Sequence, residues 1–153
     1  MKNPIHFFWL LLLGFFSINC NQEAQQSPQP AIDSLAKTIN LLKPGLGECM
    51  IQMEYHHDKL AGAIKDKNYG KAAFEVDEIK EVVEKVEKLQ ITNDKLQQPF
   101  SLMYEKYLQS PLAVISEAAA KKDDPTLKTS LQALTNNCNG CHQENNMGFM
   151  KIN

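Results

Sequence analysis

Residues Asp124–His142 read D-P-T-L-K-T-S-L-Q-A-L-T-N-N-C-N-G-C-H. Leu127, Leu131, Leu134, Cys138 and Cys141 step by four, three, four and three, which is the buried stripe of a single α-helix. Asp124-Pro125 opens that helix, a capping side chain followed by proline at the first helical position. The stripe ends in two thiols three residues apart, with an imidazole beside the second. Positions i and i+3 share a helix face. Cys138 and Cys141 can therefore add to the two vinyl groups along one porphyrin edge, and His142 can reach the iron axially. Cys-x-x-Cys-His is the attachment signature of haem c. The small residues between the thiols, Asn139 and Gly140, let a macrocycle lie close to the backbone. Because the cysteines continue the apolar stripe, one covalent haem c is expected inside the core, between helices.

Two other readings of Cys-x-x-Cys compete. A thiol–disulfide site usually opens a helix after a strand, and no strand pattern precedes Cys138. A zinc site needs a second pair of ligands. The other histidine cluster, His56-His57, has adjacent residues that point in different directions on a helix.

Upstream, the apolar spacing gives three more helical segments and no convincing strand. Leu46, Met50, Met53, His57, Leu60 and Ile64 form one stripe. Pro44 breaks the chain before it, leaving Ser34 to Leu42 as a separate turn or two, and Asp66 to Gly70 carries turn chemistry after it. Lys71 to Leu89 places Ala72, Val76, Ile79, Val83 and Val86 on one side. Glu and Lys lie opposite, with Glu81–Lys85 and Glu84–Lys88 at the supportive i,i+4 spacing. The third segment follows a cap at Thr92-Asn93-Asp94 and runs through Leu96, Phe100, Met103 and Tyr107. Ser110-Pro111 predicts a break, after which Leu112, Ile115 and Ala119 continue the stripe. Short connections make this an all-α chain, an antiparallel four-helix bundle over residues 31–153. In the tail, Phe149 and Ile152 are expected over an exposed haem edge.

The N-terminus has another character. Lys2 precedes an apolar run from Phe7 to Phe16 that is short for a membrane span and suited to a signal peptide over residues 1–19. Cys20 at its end points to a lipoprotein, cleaved before Cys20 and diacylated there, although Asn19 departs from the usual small residue. An ordinary secretory peptide or an uncleaved anchor are the other readings. All three place the remainder outside the cytoplasm, on the periplasmic or cell-surface side. Residues 20–30 hold nothing apolar beyond Ala24 after the cysteine and are expected to be a flexible tether to the membrane.

The four cysteines are thus assigned: Cys20 to lipid, Cys138 and Cys141 to haem, and Cys49 to packing as a small apolar side chain. Sixteen Lys and Arg against eighteen Asp and Glu, a net charge of −2, give no footprint for nucleic acid. No nucleophile–base pair, phosphate loop or additional metal cluster stands in the motifs, so no enzyme is expected.

The mature chain resembles the class II c-type cytochromes, the cytochrome c-prime group, whose four-helix bundle carries its haem motif at the end of the last helix. Lys43–Met50 (K-P-G-L-G-E-C-M), His57–Leu60 (H-D-K-L) and Leu134–His142 (L-T-N-N-C-N-G-C-H) also resemble a little-described subgroup of bacterial haem proteins. The resemblance covers most of the mature chain, and the haem motif is its chemically specific part. It implies His142 as proximal ligand and, in low-spin members, a methionine from the first bundle helix on the opposite side. In this chain that position falls near Met50 to Met53. Met50 is the favoured ligand, with His57 or an open face as alternatives. A saturated iron implies a one-electron carrier with a redox partner, and an open one a sensor or scavenger of NO or CO. A haem-free bundle with a redox disulfide is the third alternative. Class II relatives often dimerise, so the resemblance also implies that a homodimer is open to this chain.

Overall fold

The computed structural model describes residues 29–153. They form α1 (Gln29–Leu42), α2 (Leu46–Lys65), α3 (Tyr69–Lys88), α4 (Phe100–Tyr107), α5 (Gln109–Lys121) and α6 (Asp124–Glu144), with no strand among the described residues. The expected signal peptide, Cys20 and all but the last two residues of the tether lie outside the described residues. Gln29 and Pro30 are not tether but the first turn of α1. The chain divides between Lys37 and Thr38. α1 crosses that boundary and buries none of its side chains. No described helix is long and apolar enough to cross a membrane.

Within the second unit, α2 packs on α3, α3 on α5, α5 on α6 and α6 on α2. This closed circuit of four is compatible with a bundle, and the short α4 lies against α3, α5 and α6. The core holds Leu60, Ile64, Val76, Ile79, Leu112, Ile115, Leu127 and Leu134, all on the expected stripes. Trimming any one of these leucines to alanine removes ~2–5 kcal/mol. A second cluster joins Leu46, Cys49, Val82, Val86 and Ile91. Cys49 is fully buried there, and burial pushes its thiol up from the ordinary range.

Four helices close by one device. Lys67, Gln90, Lys122 and Asn146 adopt left-handed φ of 55°, 49°, 56° and 59°. The next residue then donates its N–H back five positions. The bonds are Asn68→Ala63 2.8 Å, Ile91→Val86 2.9 Å, Asp123→Ala118 2.9 Å and Met147→His142 2.7 Å. These bonds satisfy carbonyls that a helix end would otherwise orphan. The turn expected from Asp66 to Gly70 is thus made by Lys67, while Gly70 sits inside α3.

Several boundaries differ from the sequence expectation. The third segment starts at Phe100, not after Asp94. Asn93 instead makes a local turn, its Oδ1 accepting from the Lys95 N–H at 2.9 Å. Pro99 then restricts Gln98 to extended backbone, so helix forms only beyond it. The break assigned to Pro111 falls at Leu108, between α4 and α5. Pro111 has no N–H for the Tyr107 carbonyl four residues back, and the side-chain amide of Asn137 donates to that carbonyl at 2.8 Å. α6 is capped by Asp123, one residue earlier than expected, whose Oδ1 accepts from the Thr126 N–H at 3.2 Å.

Two charge assignments also change. Glu84–Lys88 pairs at 2.6 Å, but Lys85 reaches Gln52 Oε1 at 2.8 Å rather than Glu81. Glu75 is buried on α3, away from the solvated face, because His56 Nδ1 lies 2.8 Å from its carboxylate.

Candidate functional site

One cleft of about 640 Å³, counting space open to solvent, gathers the residues singled out in the sequence. Met50, Met53 and His57 reach it from α2, and Cys138, Cys141 and His142 from α6. Ile79, Phe100, Met103, Tyr104, Leu108, Leu134 and Ile152 complete a lining whose one carboxylate is Glu54.

Register brings these side chains together. The i, i+3, i+7 spacing of Met50, Met53 and His57 puts all three on the inner face of α2. The i, i+3 spacing of the two cysteines does the same on α6. Both thiols are free. Burial, joined by the nearby Cys141 thiol, pushes the Cys138 thiol up to about 11. Burial also raises Cys141, with Glu144 adding to the effect. Both sulfurs are therefore neutral thiols at ordinary pH.

His142 is half-buried at the end of α6, and its Nδ1 lies 2.7 Å from the carbonyl oxygen of Met150. A carbonyl only accepts, so Nδ1 carries the ring proton and Nε2 keeps the lone pair. The left-handed turn at Asn146 folds the tail back to make this contact. Ile152 joins the cleft lining, and Phe149 stands exposed.

The histidines of α2 are both engaged. His57 is buried, with Nε2 2.8 Å from Thr135 Oγ1. Its Nδ1 has no hydrogen-bond partner. His56 has Nδ1 2.8 Å from the Glu75 carboxylate and Nε2 3.7 Å from that of Glu78. Cys49 packs in the second cluster and does not line the cleft.

The two residues between the cysteines of α6 also contact the protein itself. A Cβ on Gly140 would meet Tyr107 Cε1 at 3.2 Å. The missing side chain thus makes room for a tyrosine ring from α4, where a macrocycle was expected. The Tyr107 hydroxyl and the Lys106 ammonium both donate to Glu144. Buried Asn145 closes the other side. Its Nδ2 donates to the Cys141 carbonyl at 2.8 Å, and its Oδ1 accepts from the Gln97 N–H at 2.8 Å. These residues were missed by sequence reasoning. Thr135 was visible in principle, four residues beyond Leu131 on the same stripe. Asn145, in a polar Glu-Asn-Asn run, carries no signal of burial.

Comparison with protein-family models, with curated proteins and with solved structures gives no match. The functional reading therefore rests on these residues and their arrangement.

Proposed function

We propose that this chain is an extracytoplasmic c-type cytochrome, similar in build to the class II group, that carries one haem c and passes single electrons. The observation that carries the reading is the common cleft of Cys138, Cys141 and His142 from one helix and Met50, Met53 and His57 from another. The residues fit the group. Two neutral thiols stand on one helix face, the Nε2 lone pair of His142 is free of hydrogen-bonded protein partners, and the lining is almost wholly apolar. When bound, haem supplies an Fe(III)/Fe(II) couple.

In this reading Cys138 and Cys141 each give a sulfur to a thioether link, and His142 gives Nε2 to the iron. Met50 of α2 gives a thioether sulfur from the opposite wall, with Met53 one turn further along. The Met150 carbonyl increases the basicity of the His142 ring through its Nδ1–H. The apolar lining excludes water, so little must reorganise when an electron arrives. Lipid on Cys20 holds the domain at a membrane on the periplasmic or cell-surface side, where a redox partner meets it.

Binding of NO or CO at an open iron face is the second reading. Thr135 engages His57 Nε2 and leaves the buried Nδ1 without a partner, so His57 stays an alternative to Met50, and an open face follows only if neither ligates. A redox disulfide is disfavoured, because exchange needs a thiolate and Cys138 is held as a thiol.

A pyridine haemochrome spectrum of the matured protein tests the attachment, and its absence would end the proposal. The ferrous spectrum then separates the two haem readings: six-coordinate iron for the carrier, five-coordinate iron with a response to NO for the sensor. His142→Ala is expected to leave haem attached and change its spin state. An unaltered spectrum would remove His142 as proximal ligand.

A further inference from the structure

Residues 147–153 return along the end of α6 and are fastened at their far end by Asn139. Asn139 Nδ2 donates to the Ile152 carbonyl at 2.9 Å, and Asn139 Oδ1 accepts from the Ile152 N–H at 2.9 Å. One side-chain amide thus pairs with both polar groups of a single backbone residue, as a neighbouring β-strand would. The Asn146 turn fixes where this strap leaves the helix, and Asn139 fixes where it lands. Between those points the Met150 carbonyl meets His142 Nδ1 at 2.7 Å. Met150 is 43% exposed and Phe149 81% exposed. Side-chain burial at 149 and 150 therefore contributes little to holding the carbonyl in place, which falls to the backbone turn from Met147 to Met150, closed at 2.9 Å, and to the landing point beyond it.

The geometry points to Asn139 as the positioning residue of the site. It latches the strap so that the Met150 carbonyl holds the His142 ring proton on Nδ1, which leaves Nε2 as the one lone pair of the imidazole. It also seats Ile152 at the rim of the cleft. The hydrogen bonds of Asn139 go to the backbone of the strap, through which it acts. The consequence at iron rests on the proposed haem attachment, but the tautomer of His142 does not. A histidine whose second nitrogen is held by an acceptor is a better and better-oriented donor, and loss of such a partner typically weakens metal binding by ~10–100-fold. Asparagine suits the position because its amide carries a donor and an acceptor side by side. Aspartate offers acceptors alone and would face the Ile152 carbonyl with like charge.

Histidine ¹⁵N NMR of the full chain without haem, at a pH where His142 is neutral, reads the tautomer directly. The unaltered protein is expected to show the Nδ1–H form at His142. Asn139→Ala and Ile152→Pro are expected to lose that preference, and Asn139→Asp to lose it in part. Ile152→Pro removes the strap donor without touching α6, so it stands if Asn139→Ala does not fold. In the haem-loaded protein, Asn139→Ala should move the midpoint potential positive, as a less basic imidazole stabilises ferric iron less. An Nε2–H form in the unaltered protein, or a tautomer unmoved by both Asn139→Ala and Ile152→Pro, would overturn the assignment. Failure to acquire haem would sink the cytochrome reading and leave the tautomer result to decide this one.

Discussion

His57 Nε2 and Thr135 Oγ1 meet at 2.8 Å across the interface of α2 and α6. The Thr135 hydroxyl already donates to the Leu131 carbonyl at 3.0 Å, so it accepts from the imidazole and the ring proton sits on Nε2. The opposite nitrogen lies 3.6 Å from the Asp58 carboxylate, beyond hydrogen-bond distance. Thr135→Val keeps the shape and orphans a buried donor, which costs ~1–3 kcal/mol. Denaturant unfolding measures the loss. The haem-loaded spectrum should not change in this variant, and a change would return His57 to the iron.

The two methionines of α2 can be told apart at the iron. Met50→Ala is expected to turn a low-spin spectrum high-spin, while Met53→Ala leaves it low-spin. The opposite pattern transfers the ligand to Met53. High-spin iron in the unsubstituted protein leaves the face open.

Left-handed residues without glycine make the helix ends improvable. Lys122 holds φ of 56° at the end of α5 with its side chain in solvent. A non-glycine residue there costs roughly 1 kcal/mol. Lys122→Gly should therefore raise stability by up to ~1 kcal/mol, offset in part by the greater freedom of glycine in the unfolded chain. Lys67→Gly should act alike, but loses the 3.0 Å ion pair of Lys67 with Asp124. Thermal unfolding of the two variants gives the comparison.

Acid should loosen the α4–α6 contact. Bonds from Lys106 and Tyr107 hold the Glu144 carboxyl below the usual carboxylate range. Its folded value is thus depressed relative to the unfolded chain, so the stability it contributes is present above the ordinary glutamate value of ~4.3. That contribution is lost as pH falls through the lower folded value. Asp124, lowered by Lys67 and then Tyr69, adds in the same direction and window. Glu144→Gln should flatten the fall of Tm below about pH 5, and an unchanged slope would refute the coupling.

Helix content, the buried stripes and the identity of the cleft residues were legible because periodicity is a local property of the chain. Leu127, Leu134 and Cys138 could be assigned to one face by counting alone. Ends were less legible. The break at Leu108 is set by a carbonyl that Pro111 leaves open and Asn137 fills from another helix, a relation no single segment contains. Glu75 was misread for the same reason, since its burial is tolerable only with His56 beside it. Gly140 was read for the ring it might admit, whereas its bare Cα faces Tyr107.

That packing of Tyr107 on Gly140 bears on how a rigid disc could enter a slot between helices. One wall is less firmly built than the others: α4 has eight residues and a single buried side chain, Met103, and it ends at the Leu108 break. Tyr107 is the bolt on this panel, its ring on Gly140 and its hydroxyl on Glu144. Swinging α4 outward would break its contacts with α3, α5 and α6 and carry Phe100, Met103 and Tyr104 out of the cleft lining, and closing it again would bring them back.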